Sequence, residues 1–549
     1  MKSKPMILVA LLLAAFAINL DTTLVNVALP SLVRELHATT TQLQWVVDAY
    51  NLVFAALLLM CGALSDRIGR KGMLLAGLAV FGAASLAGSF ASDPAWLIAA
   101  RAVMGLGAAM TFPATLSLIS NVFTGRAERA RAIGLWGAIG GVAIALGPIV
   151  GGWLLEHFSW SSIFVAMGPV AAAGILLAAA AVPASKAPQG GRLDLGGLLL
   201  STAAAGLLVF TIIEAPAYGW GSARSVAGFA AAATLGALFT WRERRAEHPM
   251  LDIRLFRNMR FTAASASVTV SFFTLFGFIF LMTQYFQFIR GYGPLSTGVH
   301  LLPVALSVGV GSVLGTQFAV RRGTKLIVTL GLLAMTGFYG WVAATTTTSV
   351  SYEIISLQMV LYGLGMGFTS APATESIMGA VSLRQAGVGS AVNDTTRLLG
   401  GTLGVAVIGS VYASLYGSRL GAALPSALPA RLTAVAHQSV GAALSVAGRL
   451  SISGQPGAGA VVRDAATNAF LHGLTVGCLV AGGVAAGGAI LAALFLPAQP
   501  AGRAAGSAVA AGAAAAAPAA AAEPAAAAEP AAAESGAARS PVQAPAAAR

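Results

Sequence analysis

Residues 50–91 read YNLVFAALLLMCGALSDRIGRKGMLLAGLAVFGAASLAGSFA, two apolar runs separated by a short charged loop. Each run reaches or approaches the roughly 20 residues that an α-helix needs to cross a bilayer. Similar runs at 6–20, 96–120 and 471–496 contain at most one charged residue each. A soluble core does not require so many long apolar segments, so the pattern predicts an integral membrane protein.

The composition of the whole chain agrees with this prediction. Of 549 residues, 57% are hydrophobic and only 9% are charged, whereas soluble domains carry roughly 25% charged residues. The net charge of +13 comes from Lys and Arg in short loops that alternate with weakly charged ones, which is the positive-inside pattern. We therefore expect a lipid bilayer, and no nucleic acid, as the partner of the basic residues.

The apolar runs predict fourteen membrane-spanning helices. They lie near residues 6–28, 44–64, 72–91, 96–120, 131–155, 162–183, 193–213, 224–241, 261–284, 296–318, 325–344, 352–377, 396–416 and 470–496. Basic clusters follow the even-numbered helices, at 67–71, 126–131, 186–192, 242–260 and 321–325. Both termini are therefore expected in the cytoplasm. The chain is expected in the plasma membrane, specifically a bacterial inner membrane.

Two segments lie outside the predicted spans. Loop 417–469 is expected to be extracellular, with one or two short helices, because residues 424–450 are amphipathic and residues 454–459 are rich in Gly and Pro. Residues 498–549 are dominated by Ala and Pro and lack the larger apolar residues needed for a core. This composition predicts a disordered cytoplasmic tail.

The loop at 62–71, GALSDRIGRK, turns the chain tightly between two helices. Gly62 and Gly69 allow close approach and unusual dihedral angles, and Asp66 can pair with Arg67 or Arg70. A weaker echo at 315–325, GTQFAVRRGTK, lacks the acid. A repeated loop at corresponding places in two halves is typical of an internally duplicated transporter.

Four stretches in order resemble the major facilitator superfamily, in its fourteen-helix drug:proton antiporter branch of multidrug exporters. Loop 62–71 is similar to the helix 2–3 signature, 20–30 (LDTTLVNVALP) to the first-helix signature, and 101–107 (RAVMGLG) to the fourth-helix signature. Residues 134–152 resemble the fifth-helix antiporter signature. The resemblance implies two six-helix bundles, at 1–183 and 261–497, with two further helices inserted between them at 184–260.

Two charged residues within the predicted spans are candidates for proton coupling. Asp21 lies in the first helix, where an ionisable group is costly and is usually functional; the alternative is a structural pair with an amide such as Asn26. Asn26 is also a candidate for proton or substrate binding beside Asp21. Arg101 in the fourth helix must face a cavity or a carboxylate, unless it extends to the outer interface. By resemblance, Arg101 takes part in proton coupling.

Further along the chain, Glu375 has two interpretations. It is either an acid that faces the cavity or a residue at a cytoplasmic helix end. In the first case it is also a candidate for proton or substrate binding. Asp394 suits the N-cap region of helix thirteen. By resemblance, Asp66 docks near this helix start when the cytoplasmic side closes, which makes the loop a conformational latch. The predicted latch residues are Gly62, Asp66, Arg67, Gly69, Arg70, Lys71 and Asp394.

The fifth helix is predicted to work by packing alone. Small residues let two helices approach closely, and a proline bends a helix. The residues concerned are Gly134, Gly147, Pro148, Gly151 and Gly152.

The chain has no P-loop, no metal-ligand spacing among its His residues and no nucleophile elbow, so we expect neither an enzyme nor a cofactor. The expected function is export of amphiphilic small molecules, cationic or neutral, driven by the proton gradient. The alternatives are a proton-coupled importer of a specific solute and, from a different class, a channel or membrane scaffold.

Overall fold

The computed structural model describes residues 3–186, 194–246, 249, 251, 253–381, 386–425 and 428–498. Every regular element within these ranges is helical, because a chain in lipid must satisfy its backbone hydrogen bonds internally. Fourteen helices are long and apolar enough to cross a membrane. The predicted number of spans and the predicted all-helical fold are therefore confirmed.

The helices fall into two bundles of six spans with an inserted pair between them. The first bundle contains α1 (Lys4–Glu35), α2 (Thr40–Ile68), α3 (Arg70–Ser89), α4 (Pro94–Val122), α5 (Arg126–His157) and α6 (Ser162–Ala181). The inserted pair is α7 (Leu195–Tyr218) and α8 (Ala223–Arg245), followed by a 3₁₀ turn at Ile253–Arg257.

The second bundle begins with α9 (Met259–Gln284), which continues into a π-helical turn (Tyr285–Ile289). It then contains α10 (Pro294–His300), α11 (Leu302–Arg322), α12 (Thr324–Thr345), α13 (Tyr352–Gly379), α14 (Ala386–Ala423), α15 (Ala430–Gln438), α16 (Val440–Ile452) and α17 (Pro456–Phe495). Helices α10 and α11 together form one span.

Local sequence signals set several of these helix ends. Thr39 and Gln42 form a capping box at the start of α2, and the Asp93 carboxylate accepts hydrogen bonds from two amides in the first turn of α4. Gly69 has φ 128° between α2 and α3, a conformation that favours glycine. This single residue allows α3 to start directly after α2.

Because successive spans run in opposite directions, the bundle has two distinct ends. We call the end where α2 meets α3 the basic end, since the Arg- and Lys-rich loops lie there. We call the opposite end, where α1 meets α2, the far end.

Two helices begin at least ten residues earlier than predicted. Helix α14 already includes Ala386, ten residues before the predicted start, and α17 begins at Pro456 rather than near 470. The predicted loop 417–469 is therefore too long, because α14 reaches Ala423 and residues 456–469 are helical. The expected short helices are present as α15 and α16. The predicted tail lies outside the described residues apart from Ala498.

The inserted pair packs against both bundles. Ile212 and Ile213 of α7 belong to one buried apolar cluster with Leu52 of α2 and Ala406 of α14. The Trp220 indole, in the turn after α7, donates a hydrogen bond of 3.0 Å to Ser414. Helix α7 therefore lies across the seam between the two bundles, towards the far end.

Candidate functional site

Asp21 and Arg101 form a buried ion pair between α1 and α4. The Arg101 Nη1 to Asp21 Oδ2 distance is 2.6 Å, and Arg101 and Asp21 are 0% and 1% exposed respectively. Arg101 Nε also donates to the Val46 carbonyl at 3.0 Å, and its guanidinium lies 4.3 Å from the Tyr50 ring centroid. This geometry excludes the alternative in which Arg101 extends to the outer interface.

A glycine allows Arg101 to reach these partners. A Cβ at Gly105, one turn along α4, would lie 2.5 Å from the Tyr50 carbonyl oxygen of α2. Only a residue without a side chain permits so close an approach between these helices. The closeness of α4 to α2 places the guanidinium beside the Val46 carbonyl and the Tyr50 ring.

Two residues predicted to accompany this pair lie elsewhere. Asn26 is buried but donates to the Thr22 carbonyl of its own helix at 3.1 Å, so the interpretation that Asn26 pairs with Asp21 is wrong. Glu375 is exposed, four residues before the end of α13 at the basic end. Of the two interpretations of Glu375, the structure favours the helix-end residue.

A second buried acid lies on α2. Asp48 is 0% exposed, and neither of its carboxylate oxygens has a hydrogen-bond partner among the described residues. Asn51, one turn further along, is 1% exposed and also leaves its side-chain oxygen without a partner there. Burying an unpaired carboxylate is costly, and such a group is commonly protonated instead. Asp48 is therefore a candidate functional residue.

Gln44 joins the two bundles at the far end. Its side-chain amide, 0% exposed, donates towards the carbonyls of Val405 at 3.3 Å and Ala406 at 3.0 Å and towards the Ser410 hydroxyl at 3.2 Å. A Cβ at Gly409 would lie 2.6 Å from the Gln44 nitrogen. The glycine in α14 thus makes room for the side chain from α2.

A second hydrogen-bonded contact crosses the seam at the π-helical turn. Gln287 donates to the Val27 carbonyl of α1 at 2.9 Å and accepts a hydrogen bond from Arg34 at 3.4 Å. Single π-helical turns within α-helices are frequent at functional positions. Here the turn holds Gln287 against the first helix of the other bundle.

The glycines in the far half of α5 lie close to other helices. A Cβ at Gly147 would meet the Leu24 amide of α1 at 3.1 Å, and one at Gly151 would meet the Leu24 carbonyl at 3.1 Å. A Cβ at Gly152 would lie 2.6 Å from the Leu295 Cα of α10, and Gly298 of α10 lies directly against the Pro148 carbonyl. Helix α5 therefore contacts α1 on one side and the second bundle on the other.

The basic half of α5 differs. Cβ positions at Gly134, Gly137 and Gly141 have no other described residue within 4 Å. Gly134 consequently makes no packing contact in this conformation. The prediction that Gly134 packs against another helix is therefore wrong for this conformation.

Other side chains in the basic half of α5 contact their own bundle, because Lys4 of α1 pairs with Glu128 at 2.7 Å and Trp136 donates to the Thr115 hydroxyl of α4 at 3.0 Å. The side-chain contacts between the two bundles described above lie towards the far end, which is closed.

The loop between α2 and α3 is tied to its own bundle. Asp66 Oδ1 and Arg70 Nε are 2.6 Å apart, the Arg70 amide donates to the Ser185 carbonyl at 2.9 Å, and Lys71 donates to the Ala179 carbonyl at 2.7 Å. Arg67 is exposed. A Cβ at Gly62 would be 3.6 Å from Pro113 of α4. These contacts fix the loop against α4 and α6.

Asp394 is not an N-cap. Helix α14 extends N-terminally at least to Ala386, so Asp394 lies two turns inside it, and Asn393 donates towards its carboxylate at 3.5 Å. Nearby, Arg397 donates to the Thr374 hydroxyl at 3.2 Å. The recorded partner of Asp66 is Arg70, so the structure does not bring the predicted latch residues of the two bundles together.

The family model described as Major Facilitator Superfamily matches residues 11–405. The chain belongs to this superfamily. It is a membrane transporter and not an enzyme.

Two curated relatives illustrate its place within the superfamily. The multidrug resistance protein Stp of Mycobacterium tuberculosis is 36% identical over 74% of this chain and 75% of its own length. The multidrug efflux pump LfrA of Mycolicibacterium smegmatis is 34% identical over 86% of this chain and 92% of its own length. Both alignments cover most of either protein.

Among solved structures, a bacterial homologue of the human lysosomal transporter Spinster, in an inward-facing, occupied conformation, matches with a TM-score of 0.63. The match covers 90% of this chain and 98% of the other at 17% identity, which supports the superfamily fold. The predicted fold class and family are therefore confirmed.

Asp48 was not selected from the sequence, although a signal was present. Gln44, Asp48 and Asn51 recur at helical spacing on one face of α2. The predicted start of this span at 44 places Asp48 near the helix N-terminus, where an acid is ordinary. The capping box at Thr39 instead starts the helix at Thr40, which places Asp48 more than two turns inside.

Proposed function

We propose that this transporter exports amphiphilic small molecules, cationic or neutral, across the plasma membrane in exchange for protons. The printed names of Stp and LfrA, a multidrug resistance protein and a multidrug efflux pump, support this substrate class. The observation that carries proton coupling is the Asp21–Arg101 pair, closed off from solvent between α1 and α4.

Protonation of Asp21 changes the charge balance of this pair. With Asp21 ionised, the pair is neutral overall; with Asp21 protonated, Arg101 is left as a buried cation without a counter-charge. Removing one partner of a buried ion pair costs about 3–5 kcal/mol. The protein can recover part of this energy by moving Arg101 into a hydrated gap. Proton binding is thus linked to movement of α4 relative to α1.

Asp48 is proposed as a second proton carrier. It lies on α2, two residues from Val46, whose carbonyl accepts a hydrogen bond from Arg101. Because neither Asp48 oxygen receives a hydrogen bond from the described residues, its burial favours the proton-bound form. Release of this proton requires contact with water, which opening of the neighbouring seam would supply.

The basic end is proposed to face the cytoplasm, in agreement with the positive-inside rule, and both termini then lie inside. Because the far end is closed in the described state, the substrate path would then be reached from the cytoplasm. One elementary charge crossing 100 mV provides roughly 2.3 kcal/mol, so inward proton flow can concentrate a substrate outside. No cofactor is required in this scheme.

The loop containing Asp66 is proposed to dock against α14 in the opposite state, when the basic end closes. Asp66 would then exchange its contact with Arg70 for donors near Asp394. In the described state Asp66 pairs with Arg70 of its own bundle, which is compatible with an undocked loop.

Reconstituted vesicles test proton coupling. We expect a pH gradient to drive transport of a fluorescent cation by the wild-type protein, and Asp21→Asn to reduce this gradient-driven transport at least tenfold. Asp48→Asn should reduce it in the same way. The matched control is Asp93→Asn, which removes an exposed carboxylate at the start of α4 and preserves capping because Asn is an equally good N-cap.

Transport that is insensitive to the gradient and to both substitutions would contradict proton antiport. Uptake of the cation against the expected direction would favour the importer. For the loop, Asp66→Asn should reduce transport while substrate binding persists; unchanged transport would exclude the proposed docking.

A further inference from the structure

Helix α2 carries a stripe of three buried polar side chains. Gln44, Asp48 and Asn51 recur at i, i+4 and i+7, which places them along one side of the helix, and they are 0%, 0% and 1% exposed. Four side-chain oxygens of this stripe have no hydrogen-bond partner among the described residues: Gln44 Oε1, Asp48 Oδ1 and Oδ2, and Asn51 Oδ1. Buried acceptors are nearly always paired in folded proteins, so the stripe needs a partner that the described part of the chain does not supply.

The unpaired oxygen of Gln44 does not depend on which way its amide is turned. The amide nitrogen faces the carbonyls of Val405 at 3.3 Å and Ala406 at 3.0 Å. Carbonyl oxygens only accept hydrogen bonds, so the end of the amide that faces them must be the nitrogen. The oxygen is therefore the other end, and turning the amide over does not remove the unpaired acceptor.

A proton on Asp48 leaves part of the stripe unpaired. A protonated carboxyl has a single O–H donor, so it can pair with the amide oxygen of Gln44 or of Asn51 but not with both. Arg101, which reaches α2 at the Val46 carbonyl, is already paired with Asp21. A bound cation has no such limit, because several oxygens coordinate it at once.

The charge and spacing of the stripe indicate the kind of cation. The stripe contains one carboxylate, so a monovalent cation makes the site neutral, whereas a divalent cation would leave a buried positive charge, which is costly. Side chains one turn apart on a helix have Cβ atoms about 5–6 Å apart. Oxygen ligands lie roughly 2.3–2.6 Å from Ca²⁺, and Na⁺ has nearly the same radius. An ion of this size can therefore bridge oxygens on successive turns.

We propose that Gln44, Asp48 and Asn51 bind one Na⁺ at the seam between the two bundles. The Asp48 carboxylate supplies the charge, the two amide oxygens supply further ligands, and water takes the remaining positions. This adds a second ion to the proton that the proposed function assigns to Asp48, and the two ions occupy the carboxyl in turn. Because Gln44 also donates to α14, the Na⁺ lies beside the contact that closes the far end.

Binding of radioactive Na⁺ to the purified full-length protein tests this proposal. The assay contains neither substrate nor a pH gradient, so loss of antiport with Na⁺ binding intact would contradict the antiport alone. We expect saturable binding that unlabelled Na⁺ displaces and choline does not. Asp48→Asn keeps the shape of the side chain and removes its charge, and should weaken binding at least tenfold. Asn51→Leu is similar in size but lacks the oxygen, and should weaken binding about fivefold.

The matched control removes an unpaired buried oxygen from another helix. Gln284 of α9 is 0% exposed, its Oε1 has no partner among the described residues, and its nitrogen donates to the Phe280 carbonyl at 3.0 Å. Helix α9 contains no acid, so Gln284→Met should change Na⁺ affinity less than twofold. Equal losses in Gln284→Met and Asn51→Leu would show an indirect effect of packing and would overturn the site.

Two other outcomes would overturn the proposal. Na⁺ binding that persists in Asp48→Asn would exclude the carboxylate as a ligand. Absence of saturable binding by the wild type would assign the space to a water molecule beside a protonated carboxyl. Thermal unfolding separates lost binding from misfolding: in choline chloride both α2 variants should unfold cooperatively, as the wild type does. Replacing choline by Na⁺ should then stabilise the wild type more than either variant.

Discussion

The contact of Gln44 with α14 permits a quantitative prediction about the far end of the seam. Gln44→Glu keeps the size and shape of the side chain but replaces its amide donor group with a carboxylate oxygen. In the closed state that oxygen would face the carbonyls of Val405 and Ala406 and the hydroxyl of Ser410. Two of these three are acceptors only, so an ionised carboxylate is strongly disfavoured there. When the far end opens, the carboxylate is hydrated.

The far end of Gln44→Glu can close with the carboxylate ionised or after the carboxylate has taken up a proton. The free-energy cost of closure is set by the second route, which is the less costly one. The carboxyl can take up a proton, which at about pH 7.5 costs about 4 kcal/mol, since a glutamate side chain in water has a pKa of roughly 4.3. A protonated carboxyl still has one donor, so about one hydrogen bond is lost, roughly 0.6 kcal/mol within a membrane protein. The closed state should therefore be destabilised by about 5 kcal/mol near pH 7.5. The penalty falls by about 1.4 kcal/mol for each pH unit of acidification.

Distances between spin labels can measure this shift. Ser92, between α3 and α4, and Ser351, before α13, are exposed at the far end of different bundles, while the native Cys61 and Cys478 are buried and should not compete for the label. We expect Gln44→Glu to lengthen the Ser92–Ser351 distance near pH 7.5. In acid, the distance should return towards its wild-type value.

The control for this experiment makes the same chemical change within one bundle. Gln358 of α13 donates to the Thr345 hydroxyl of α12 at 2.8 Å, so Gln358→Glu should not alter the distance between the two bundles. A wild-type distance in Gln44→Glu at every pH, or an equal change in both variants, would refute the assignment of Gln44 as a contact that stabilises far-end closure.

Two further predictions concern packing and pH. Gly152→Val should force α5 away from Leu295, because a Cβ at position 152 would lie 2.6 Å from the Leu295 Cα. In the same spin-label assay the far end should therefore open. An unchanged distance would mean that α10 moves to accommodate the side chain instead. Burial acts to raise the pKa of Asp194, but hydrogen bonds from Arg242 and from the Gly197 amide outweigh it and lower the pKa below its usual value. Asp194 therefore stabilises the fold at neutral pH and loses this contribution as the pH falls, so thermal unfolding of Asp194→Asn should depend less on pH below about 5 than that of the wild type.

The sequence predicted the spans because membrane insertion is a local property. A run such as 72–91 is apolar whatever it packs against, and α3 was therefore found nearly to the residue, at Arg70–Ser89. The starts of α14 and α17 were misplaced because their first turns are polar or glycine-rich. The start of α17 packs against another element, since a Cβ at Gly459 would lie 3.2 Å from the Ser451 amide nitrogen of α16.

The site was only partly predictable for the opposite reason. The sequence indicated that Asp21 and Arg101 each needed a partner, because a lone charge at that depth is expensive. It could not show that they are partners of each other, since this depends on α1 and α4 meeting across 80 residues of chain. The partners of Gln44 and Gln287 in the opposite bundle likewise cannot be identified from the local sequence.

Helix α2 connects the buried charges to the seam. Within five residues it carries Gln44, which contacts α14 of the other bundle, Val46, whose carbonyl accepts a hydrogen bond from Arg101, and Asp48, which has no partner among the described residues. A helix is stiff over a single turn, so displacement of α2 from α14 must move the Val46 carbonyl and change the environment of Arg101. Conversely, loss of the charge on Asp21 alters the strength of the hydrogen bond that Arg101 makes to that carbonyl. The geometry thereby offers one rigid element through which a proton between α1 and α4 and the opening of the far end can influence each other.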